Sequence, residues 1–462
     1  MSESFLGVRI DGGIAPFQIV QQDKDGYGRM AFHGRCRYET ASGIVQLRIV
    51  REDDGSVAAG STDWQEAETQ EGDTWSHTFT LVPAGGLYRL ETRLVVDRNN
   101  AEWSPHGDTV HHLGVGDLWI IAGQSNAAGY GRGPVHDPPQ LGVHILKNDE
   151  TWDIAAHPLN DTTRSDHPNL EGANPGHSAY LRFAKDLHTV LGFPIGLIQT
   201  SLGGSPLSAW NPVENPEAPL FHNLMHCVEL AGVHVRGMVW YQGESDCGEA
   251  VAPTYRERFE QFISRVRIDL KQPELAVIVA QLNRYTGVMA LEGHRGWSII
   301  REAQRQAGSI GRVAVVPTTD LSISDLIHTS SDGNLVLGSR KARAALGTVY
   351  GRDIQWRAAD ISRAIQVEPS TIDLVFQHVH NRLAFLGPGE NDFTVEDADG
   401  VVPVATATTP NRNTVRLELG RATTGAVHVH GAFGAFPTAM LRDAETNQPI
   451  LGFYNVPVIA SA

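Results

Sequence analysis

Hydrophobic and polar residues alternate with a period of two from about residue 15 to residue 112. The alternation is clear over residues 45–49, and turn-forming residues such as those at 83–86 separate such runs. The apolar positions of a further run are Trp75, His77, Phe79 and Leu81. Because side chains two apart lie on the same face of a strand, this pattern predicts strands with one buried face. We therefore expect residues 1–112 to form an N-terminal β-domain, arranged as a sandwich.

Between about residues 113 and 352 the apolar residues form short continuous runs with amphipathic segments between them. The runs span residues 118–122, 195–198, 238–241, 275–280 and 313–316. In the segment 255–270 one helical face carries Tyr255, Phe259, Phe262, Ile263, Val266 and Leu270. Strands that are apolar throughout are buried on both faces, and their alternation with helices is typical of a parallel sheet. Residues 113–352 are thus predicted to form a three-layer α/β/α domain.

Period-two alternation returns from about residue 365. Its apolar positions include Ile372, Leu374, Phe376, Val415, Leu417 and Leu419. Residues 353–462 are therefore predicted to form a C-terminal β-domain. The expected fold class is α/β, with the parallel-sheet domain flanked by two β-sandwich-like domains.

Composition and charge narrow the classes of function. The 462 residues are 41% hydrophobic and 19% charged, which is typical of a folded protein. The net charge of −16, with dispersed Lys and Arg, argues against nucleic acid or an anionic membrane as a partner. Cys36, Cys227 and Cys247 are far apart and predict neither a disulfide framework nor a thiolate zinc site.

The sequence also bears on location and assembly. No run of about 18 apolar residues is present, so we expect no membrane-spanning helix. The first 13 residues lack the basic and apolar segments of a signal peptide, which predicts a cytoplasmic protein. A homo-oligomer is compatible with the sequence.

Ser125 is the leading candidate for a catalytic residue. It follows the apolar run 118–122 and lies in the segment Gly-Gln-Ser-Asn-Ala-Ala-Gly at 123–129. A sharp, glycine-flanked turn after a buried strand holds a hydroxyl at the carboxyl edge of a sheet, where reactive groups tend to lie. The alternative is that Ser125 or Asn126 only caps the following helix.

Three further segments follow other predicted strands. Gly203 and Gly204 lie in a glycine turn after the second run, and the third run is followed by Gln242, Glu244 and Asp246. Asp325 and His328 lie after the last run. Acyl transfer requires a nucleophile, a base, an acid that orients the base, and donors for an oxyanion. Since these segments end successive strands of one sheet, we expect them to meet.

These motifs resemble the SGNH hydrolases, and within them the sialate O-acetylesterases and related carbohydrate acetyl esterases. The resemblance rests on four motifs: GQSN at 123–126, GGSP at 203–206, WYQGESD at 240–246 and DLIH at 325–328. It implies that Ser125 is the nucleophile and His328 the general base. The oxyanion donors it implies are the N–H of Ser125, that of Gly203 or Gly204, and the Gln242 side chain.

The resemblance leaves the acid that orients His328 open between Asp325 and Glu244, and Asp325 has the more usual spacing. It implies an acetylated carbohydrate, from sialic acid or hemicellulose, as substrate. Further candidates for substrate binding are Gln124, Trp210, Tyr241 and Arg301, with Trp297 as another aromatic residue that could stack on sugar rings. The loop 148–175 is long enough to form a pocket wall.

Two other functions remain open: a lipase or thioesterase of the SGNH type acting on short acyl chains, and a carbohydrate-binding protein without catalysis. No cofactor or metal is expected. His222 and His226 have helical i, i+4 spacing but lack the glutamate of a zinc-protease motif.

Overall fold

Three clusters of buried hydrophobic side chains organise the chain: one in the N-terminal strands, one in the central α/β region and one in the C-terminal strands. The computed structural model describes residues 5–38, 43–58, 63–172 and 176–460. No helix in this described part is both long and apolar enough to cross a membrane. The fold class is the predicted one, an α/β region with a parallel sheet and β-regions on either side.

Two sheets enclose the N-terminal cluster. The strands are β1 (Gly7–Gly13), β2 (Ile19–Gln21), β3 (Tyr27–Arg37), β4 (Ile44–Arg51), β5 (Gln65–Glu66), β6 (Thr69–Glu71), β7 (Thr74–Pro83) and β8 (Gly85–Val95). One sheet has the order β1-β3-β7-β6, and β4, β5 and β8 belong to the second. Val45, Leu47 and Ile49 are buried in the cluster, as the alternation predicts.

The alternation fails at one predicted position in β7. Trp75, His77 and Phe79 are buried, but Leu81 is 58% exposed. Opposite β3, Met30 pairs with Phe79 and Gly28 pairs with Val82, so β7 has one residue more than its partner here. This β-bulge shifts the side-chain period by one, which turns Leu81 to the solvent and Val82 to the core.

The central region contains seven strands and six α-helices among the described residues. The strands are β9 (His106–Gly123), β10 (Val143–Leu146), β11 (Trp152–Ile154), β12 (Ile195–Gln199), β13 (Gly237–Tyr241), β14 (Ala276–Ala280) and β15 (Val313–Val316). The helices are α1 (Ser125–Ala128), α2 (Tyr180–Leu191), α3 (Pro219–Ala231), α4 (Tyr255–Asp269), α5 (Leu291–Ala307) and α6 (Ser331–Thr348). Sheet order is β11-β10-β12-β9-β13-β14-β15, and every neighbouring pair except β10 and β11 is parallel. The five predicted apolar runs all lie in this sheet.

Helices cover both faces of the sheet. Trp119 of β9 contacts Phe183 of α2, and α2 packs against α6. Trp240 of β13 pairs in register with Ala122, three residues beyond Trp119, so these two indoles point to opposite faces. Trp240 contacts Phe259 and Phe262 of α4. The predicted apolar face of the 255–270 segment therefore packs on the second face, which completes the three layers.

The C-terminal region is an antiparallel sheet with one parallel pair, β16 with β25. The strands are β16 (Asp360–Glu368), β17 (Thr371–Gln377), β18 (Leu383–Phe385), β19 (Phe393–Asp397), β20 (Gly400–Val402), β21 (Val404–Asn411), β22 (Thr414–Leu419), β23 (His428–Gly431), β24 (Leu441–Asp443) and β25 (Phe453–Ala460). Eight of them follow the order β20-β19-β23-β25-β16-β17-β22-β21, and β18 pairs with β24. The predicted positions on β17 and β22 are buried in one cluster.

Strand β9 belongs to two regions at once. Its first part pairs with β8 of the N-terminal region, and its last part lies between β12 and β13 of the central sheet. The predicted boundary after residue 112 therefore falls inside a continuous strand. The boundary after residue 352 falls in the segment between α6 and β16.

Short 3-10 helices occur at Arg98–Trp103, Leu207–Ala209, Glu244–Asp246, Ala252–Thr254 and Glu390–Asp392.

Candidate active site

The predicted motifs meet at one edge of the central sheet. β9 lies between β12 and β13 and is parallel to both, so all three strands end at the same edge. Ser125 follows β9, Gly203 and Gly204 follow β12, and Gln242 follows β13. This is the edge at which parallel α/β sheets place their reactive groups.

Gly123 makes the turn to Ser125 possible. Its φ is +130°, and a Cβ built there would lie 2.1 Å from the Tyr241 carbonyl oxygen. Only glycine has both the conformational freedom and the missing side chain that this position needs. The turn leads into the four-residue helix α1, which begins at Ser125. The Ser125 hydroxyl is thereby held at the top of the sheet.

Ser125, His328 and Asp325 form a chain of hydrogen bonds. His328 Nε2 lies 2.9 Å from Ser125 Oγ, and His328 Nδ1 lies 2.7 Å from Asp325 Oδ2. Ser125 lies in the turn after β9, whereas Asp325 and His328 lie 200 and 203 positions later in the chain. An imidazole held between a hydroxyl and a carboxylate can accept the hydroxyl proton and stabilise the charge it gains.

The Asp325 carboxylate is fixed by its own turn. Its Oδ1 accepts hydrogen bonds from the backbone N–H groups of Ile327 and His328, each at 2.8 Å. Partial burial alone would raise the pKa of Asp325, but these N–H donors and the His328 ring together lower it. Asp325 therefore stays ionised while one of its oxygens faces the imidazole.

Asn126, which the sequence suggested only as a helix cap, holds the histidine loop in place. Its Oδ1 accepts from the backbone N–H of Thr329 at 2.9 Å, and its Nδ2 donates to the Ile327 carbonyl at 3.3 Å. These bonds hold the residues on both sides of His328. Because Asn126 is the residue after Ser125, one turn positions both the hydroxyl and its partner.

Residues 115–347 carry this whole edge of the sheet. The same residues match the protein family described as "Carbohydrate esterase, sialic acid-specific acetylesterase". The matched segment is half of the chain. The chain belongs to this family.

Two curated relatives are sialate O-acetylesterases. The chain is 26% identical to that of Pongo abelii over 209 residues and 25% identical to that of Homo sapiens over 211 residues. Each match covers 38% of this chain and 39% of the relative, so the chain spans about two fifths of their length. A solved structure, a carbohydrate acetylesterase from Xanthomonas citri, covers 96% of this chain and 99% of its own with a TM-score of 0.67 at 20% identity. This similarity shows that the fold is shared over nearly the whole chain.

Two of the backbone N–H groups expected to act as oxyanion donors in this carbohydrate esterase family have no acceptor among the described residues. They are those of Ser125 and Gly204. The N–H of Gly203 instead donates to Glu171 Oε1 at 2.7 Å. The sequence left the oxyanion donor open between Gly203 and Gly204. Of the two, only Gly204 has a backbone N–H without an acceptor among the described residues.

The Gln242 side chain, predicted as an oxyanion donor, has other hydrogen-bond partners in the structure. Gln242 is fully buried, and its Nε2 donates to Asp246 Oδ2 at 2.6 Å and to the Ser205 carbonyl at 3.2 Å. Its Oε1 accepts from the Tyr255 hydroxyl at 3.0 Å. Since both amide hydrogens have acceptors, Gln242 braces the loop after β13 rather than facing a substrate.

The side chains of four residues predicted to bind substrate are buried in the structure: Gln124, Trp210, Tyr241 and Arg301. Trp297, the further aromatic candidate, is buried as well.

Three of these buried side chains bind neighbouring segments. Gln124 Oε1 accepts from the N–H groups of Gly243 and Ser245, both at 3.3 Å. The Trp210 indole donates to Ser205 Oγ at 3.0 Å. The Arg301 guanidinium donates only to backbone carbonyls, including that of Ala432, and so joins α5 to the C-terminal region.

Tyr130 and Glu171 belong to the site although no motif marked them. The Tyr130 ring stacks on His328 with centroids 4.9 Å apart, and its hydroxyl donates to Glu171 Oε2 at 2.6 Å. Glu171 lies on the loop predicted to form a pocket wall, of which residues 173–175 are outside the described part. The loop thus contacts the glycine turn and, through Tyr130, the histidine.

Glu244, the alternative acid, does not contact His328 in the structure. Its Oε1 accepts from Asn126 Nδ2 at 2.8 Å, and its Oε2 is buried without a hydrogen-bond partner among the described residues. Burial raises the pKa of this carboxyl to about 7. Asp325 is therefore the carboxylate against the imidazole, and Glu244 supports the asparagine that holds the loop.

Glu244→Gln should make stability less dependent on pH. The pKa of this carboxyl is 4.5 ordinarily and about 7 in the fold. The unfolded chain therefore ionises first, and the wild type loses about 3 kcal/mol as the pH rises through this window. Glutamine cannot ionise and still accepts from Asn126. The free energy of unfolding of the variant, relative to wild type, should rise by that amount between about pH 4 and about pH 8.5 in urea titrations. A difference that is the same at both pH values would contradict the buried ionisation.

Proposed function

We propose that this chain is a serine esterase that removes O-acetyl groups from a carbohydrate. The observation that carries the proposal is the hydrogen-bonded chain of Ser125, His328 and Asp325, which lies inside the segment matched by the family. A carbohydrate-binding protein without catalysis would have no need for this alignment.

The proposed reaction has two steps. In the first, His328 Nε2 takes the Ser125 proton while Oγ attacks the ester carbonyl carbon, and the imidazolium then protonates the departing sugar oxygen. The acetyl group is now bonded to Ser125. In the second step, His328 deprotonates a water molecule, which attacks the acyl-enzyme, and the imidazolium then returns a proton to Ser125 Oγ as the acyl bond breaks and acetate leaves. Asp325 holds the imidazole and stabilises its positive charge in both steps.

The negative oxygen formed in each step needs hydrogen-bond donors. The N–H groups of Ser125 and Gly204 are the candidates, because neither has an acceptor among the described residues. Donors of this kind contribute about 3 kcal/mol each to lowering the barrier. Gly203 could add a third donor only if Glu171 moved away from it.

Polar residues around Ser125 favour a sugar over a long acyl chain. The groups near the hydroxyl include the Glu171 carboxylate, the Tyr130 hydroxyl and the half-exposed Asp325. These can bind the hydroxyl groups of a sugar, whereas a lipase needs an apolar groove for its acyl chain. The curated relatives, both sialate O-acetylesterases, point to sialic acid, and acetylated hemicellulose is the second substrate class.

A panel of esters tests the proposed function. We expect acetate release from O-acetylated sialic acid or acetylated xylo-oligosaccharides, and from an aryl acetate, with little hydrolysis of the matching aryl octanoate. Ser125→Ala serves as the control for background hydrolysis. Preference for the octanoate or for an acyl thioester, without acetate release from any sugar, would favour a lipase or thioesterase instead.

A further inference from the structure

A second group of convergent side chains lies apart from Ser125, where three residues point at one place. Glu150 Oε1 lies 3.0 Å from His167 Nε2 and 3.0 Å from His226 Nε2. Glu150 occupies the turn between β10 and β11, with a left-handed φ of 61°. His167 lies on the following loop and His226 on α3. Three separate segments thus place two imidazole nitrogens and a carboxylate oxygen together.

The hydrogen bond made by Nδ1 of His167 leaves its Nε2 available as a metal ligand. Its Nδ1 lies 2.6 Å from Oδ1 of the buried Asn223, so Nδ1 carries the proton that it donates. The Cys227 Sγ lies 3.8 Å from His167 Nδ1 and 3.9 Å from the same Asn223 oxygen. With the proton on Nδ1, the other ring nitrogen of His167, Nε2, faces Glu150 Oε1. A hydrogen bond between the two would require a second proton on the imidazole, whereas a cation requires none.

Asp137, His157 and His177 form a similar group, but their hydrogen bonds differ from those of the Glu150 group. Asp137 Oδ2 lies 3.0 Å from His157 Nε2 and 3.2 Å from His177 Nε2. However, the backbone N–H of Ser178 faces His157 Nδ1 at 3.5 Å, which leaves the imidazole proton on Nε2. The Lys185 ammonium also binds the other carboxylate oxygen at 2.8 Å. The Asp137 carboxylate is therefore already paired with a cationic side chain, which the Glu150 group lacks among the described residues.

We propose that Glu150, His167 and His226 bind a zinc ion or a similar first-row transition dication. Two imidazoles and a carboxylate are ligands that zinc prefers. In tetrahedral coordination at about 2.0 to 2.1 Å the ligand atoms lie about 3.3 Å apart. The two separations from Glu150 Oε1 are 3.0 Å, and all three ligand atoms lie within 4.8 Å of one another, so a small rearrangement of the side chains would reach this geometry. His226 and Glu150 are 50% and 48% exposed, so the ion can reach the group and water can complete its coordination.

The ion would brace the wall of the Ser125 cleft. Asn148, two residues before Glu150, accepts from Asn169 Nδ2 at 2.7 Å and donates to Asn160 Oδ1 at 2.8 Å. Asn160 in turn donates to Glu171, the residue bound to the N–H of Gly203. A cation that joins α3 to this loop therefore stabilises the segment that carries Glu171. Its role is structural, since none of its ligands belongs to the Ser125 group.

Zinc binding to the full chain tests the proposal. The protein is treated with a chelator, dialysed and titrated with zinc chloride against a chromophoric zinc chelator. We expect one zinc ion per chain and a higher thermal midpoint when zinc is present. Glu150→Gln and His226→Ala should each weaken binding by at least about 100-fold, more than the loss of an outer hydrogen bond to a metal ligand. Both side chains are half-exposed, so these variants should fold as the wild type does.

His222→Ala is the matched control. His222 is exposed, lies one turn before His226 on α3, and bonds to the Pro216 carbonyl instead of Glu150. This variant should bind zinc as the wild type does. The proposal is overturned if the wild type takes up no stoichiometric zinc, or if Glu150→Gln binds it undiminished. It is also overturned if His222→Ala loses binding as fully as His226→Ala, which would assign the ion to the two helical histidines alone.

Discussion

Ser125→Ala should lower kcat for acetyl ester hydrolysis by about 10⁴-fold to 10⁶-fold. The Ser125 hydroxyl is the one aligned with His328 Nε2, at 2.9 Å, so alanine removes both the nucleophile and the proton that the base accepts. Losses of this size are typical when a serine nucleophile is deleted. Steady-state rates of acetate release measure the effect, and circular dichroism verifies the fold. In the wild type, a fluorophosphonate should label the peptide that contains Ser125.

Ser264→Ala is the control for this substitution. Ser264 is exposed on α4, away from the edge where the motifs meet, so its loss should leave kcat unchanged. Labelling of another serine, or a Ser125→Ala variant that retains more than about a tenth of the wild-type rate, would refute the nucleophile assignment.

Asp325→Asn should lower kcat by about 10³-fold to 10⁴-fold, whereas Glu244→Gln should lower it less than tenfold. Asp325 accepts the Nδ1 proton of His328, and an amide there can hold the imidazole in the wrong tautomer, which prevents it from acting as a base. Glu244 contacts Asn126 instead, and glutamine retains an acceptor for that hydrogen bond. The two variants therefore separate the two acids that the sequence left open.

Rates measured across a range of pH further distinguish an acid that orients His328 from one that supports Asn126. Loss of Asp325 should lower the rate throughout the range, because the tautomer is wrong at every pH at which His328 is neutral. A Glu244→Gln variant as inactive as Asp325→Asn, with Asp325→Asn near the wild-type rate, would make Glu244 the acid.

The sequence predicted the central sheet, the amphipathic helix α4 and the segments that meet at Ser125. These features depend on local signals: apolar runs, helical spacing and glycine turns at strand ends. Parallel strands bring their carboxyl ends to one edge, so the order of motifs along the chain was enough to predict that Ser125 and His328 lie close together.

The sequence was least informative about the direction in which side chains point. Gln242, Trp210 and Arg301 lie close to motifs in sequence, but partners from distant elements draw them into the core. For Gln242 these partners are Asp246 and Tyr255. The bond between Glu171 and Gly203 crosses a long loop that has no periodic pattern, so no feature of the sequence marked it. Burial and long-range pairing are properties of the assembled fold.

The continuity of β9 limits how far this chain can be shortened. The first part of β9 pairs with β8, and its last part leads into the Ser125 turn. Removing the N-terminal strands would therefore leave one edge of the strand before Ser125 without its hydrogen-bond partners. Leu113 and Val115, now sealed inside the N-terminal cluster, would face water along an unpaired strand. The N-terminal strands that pair with β9 thus support the turn that holds Ser125, and a shortened chain should retain them.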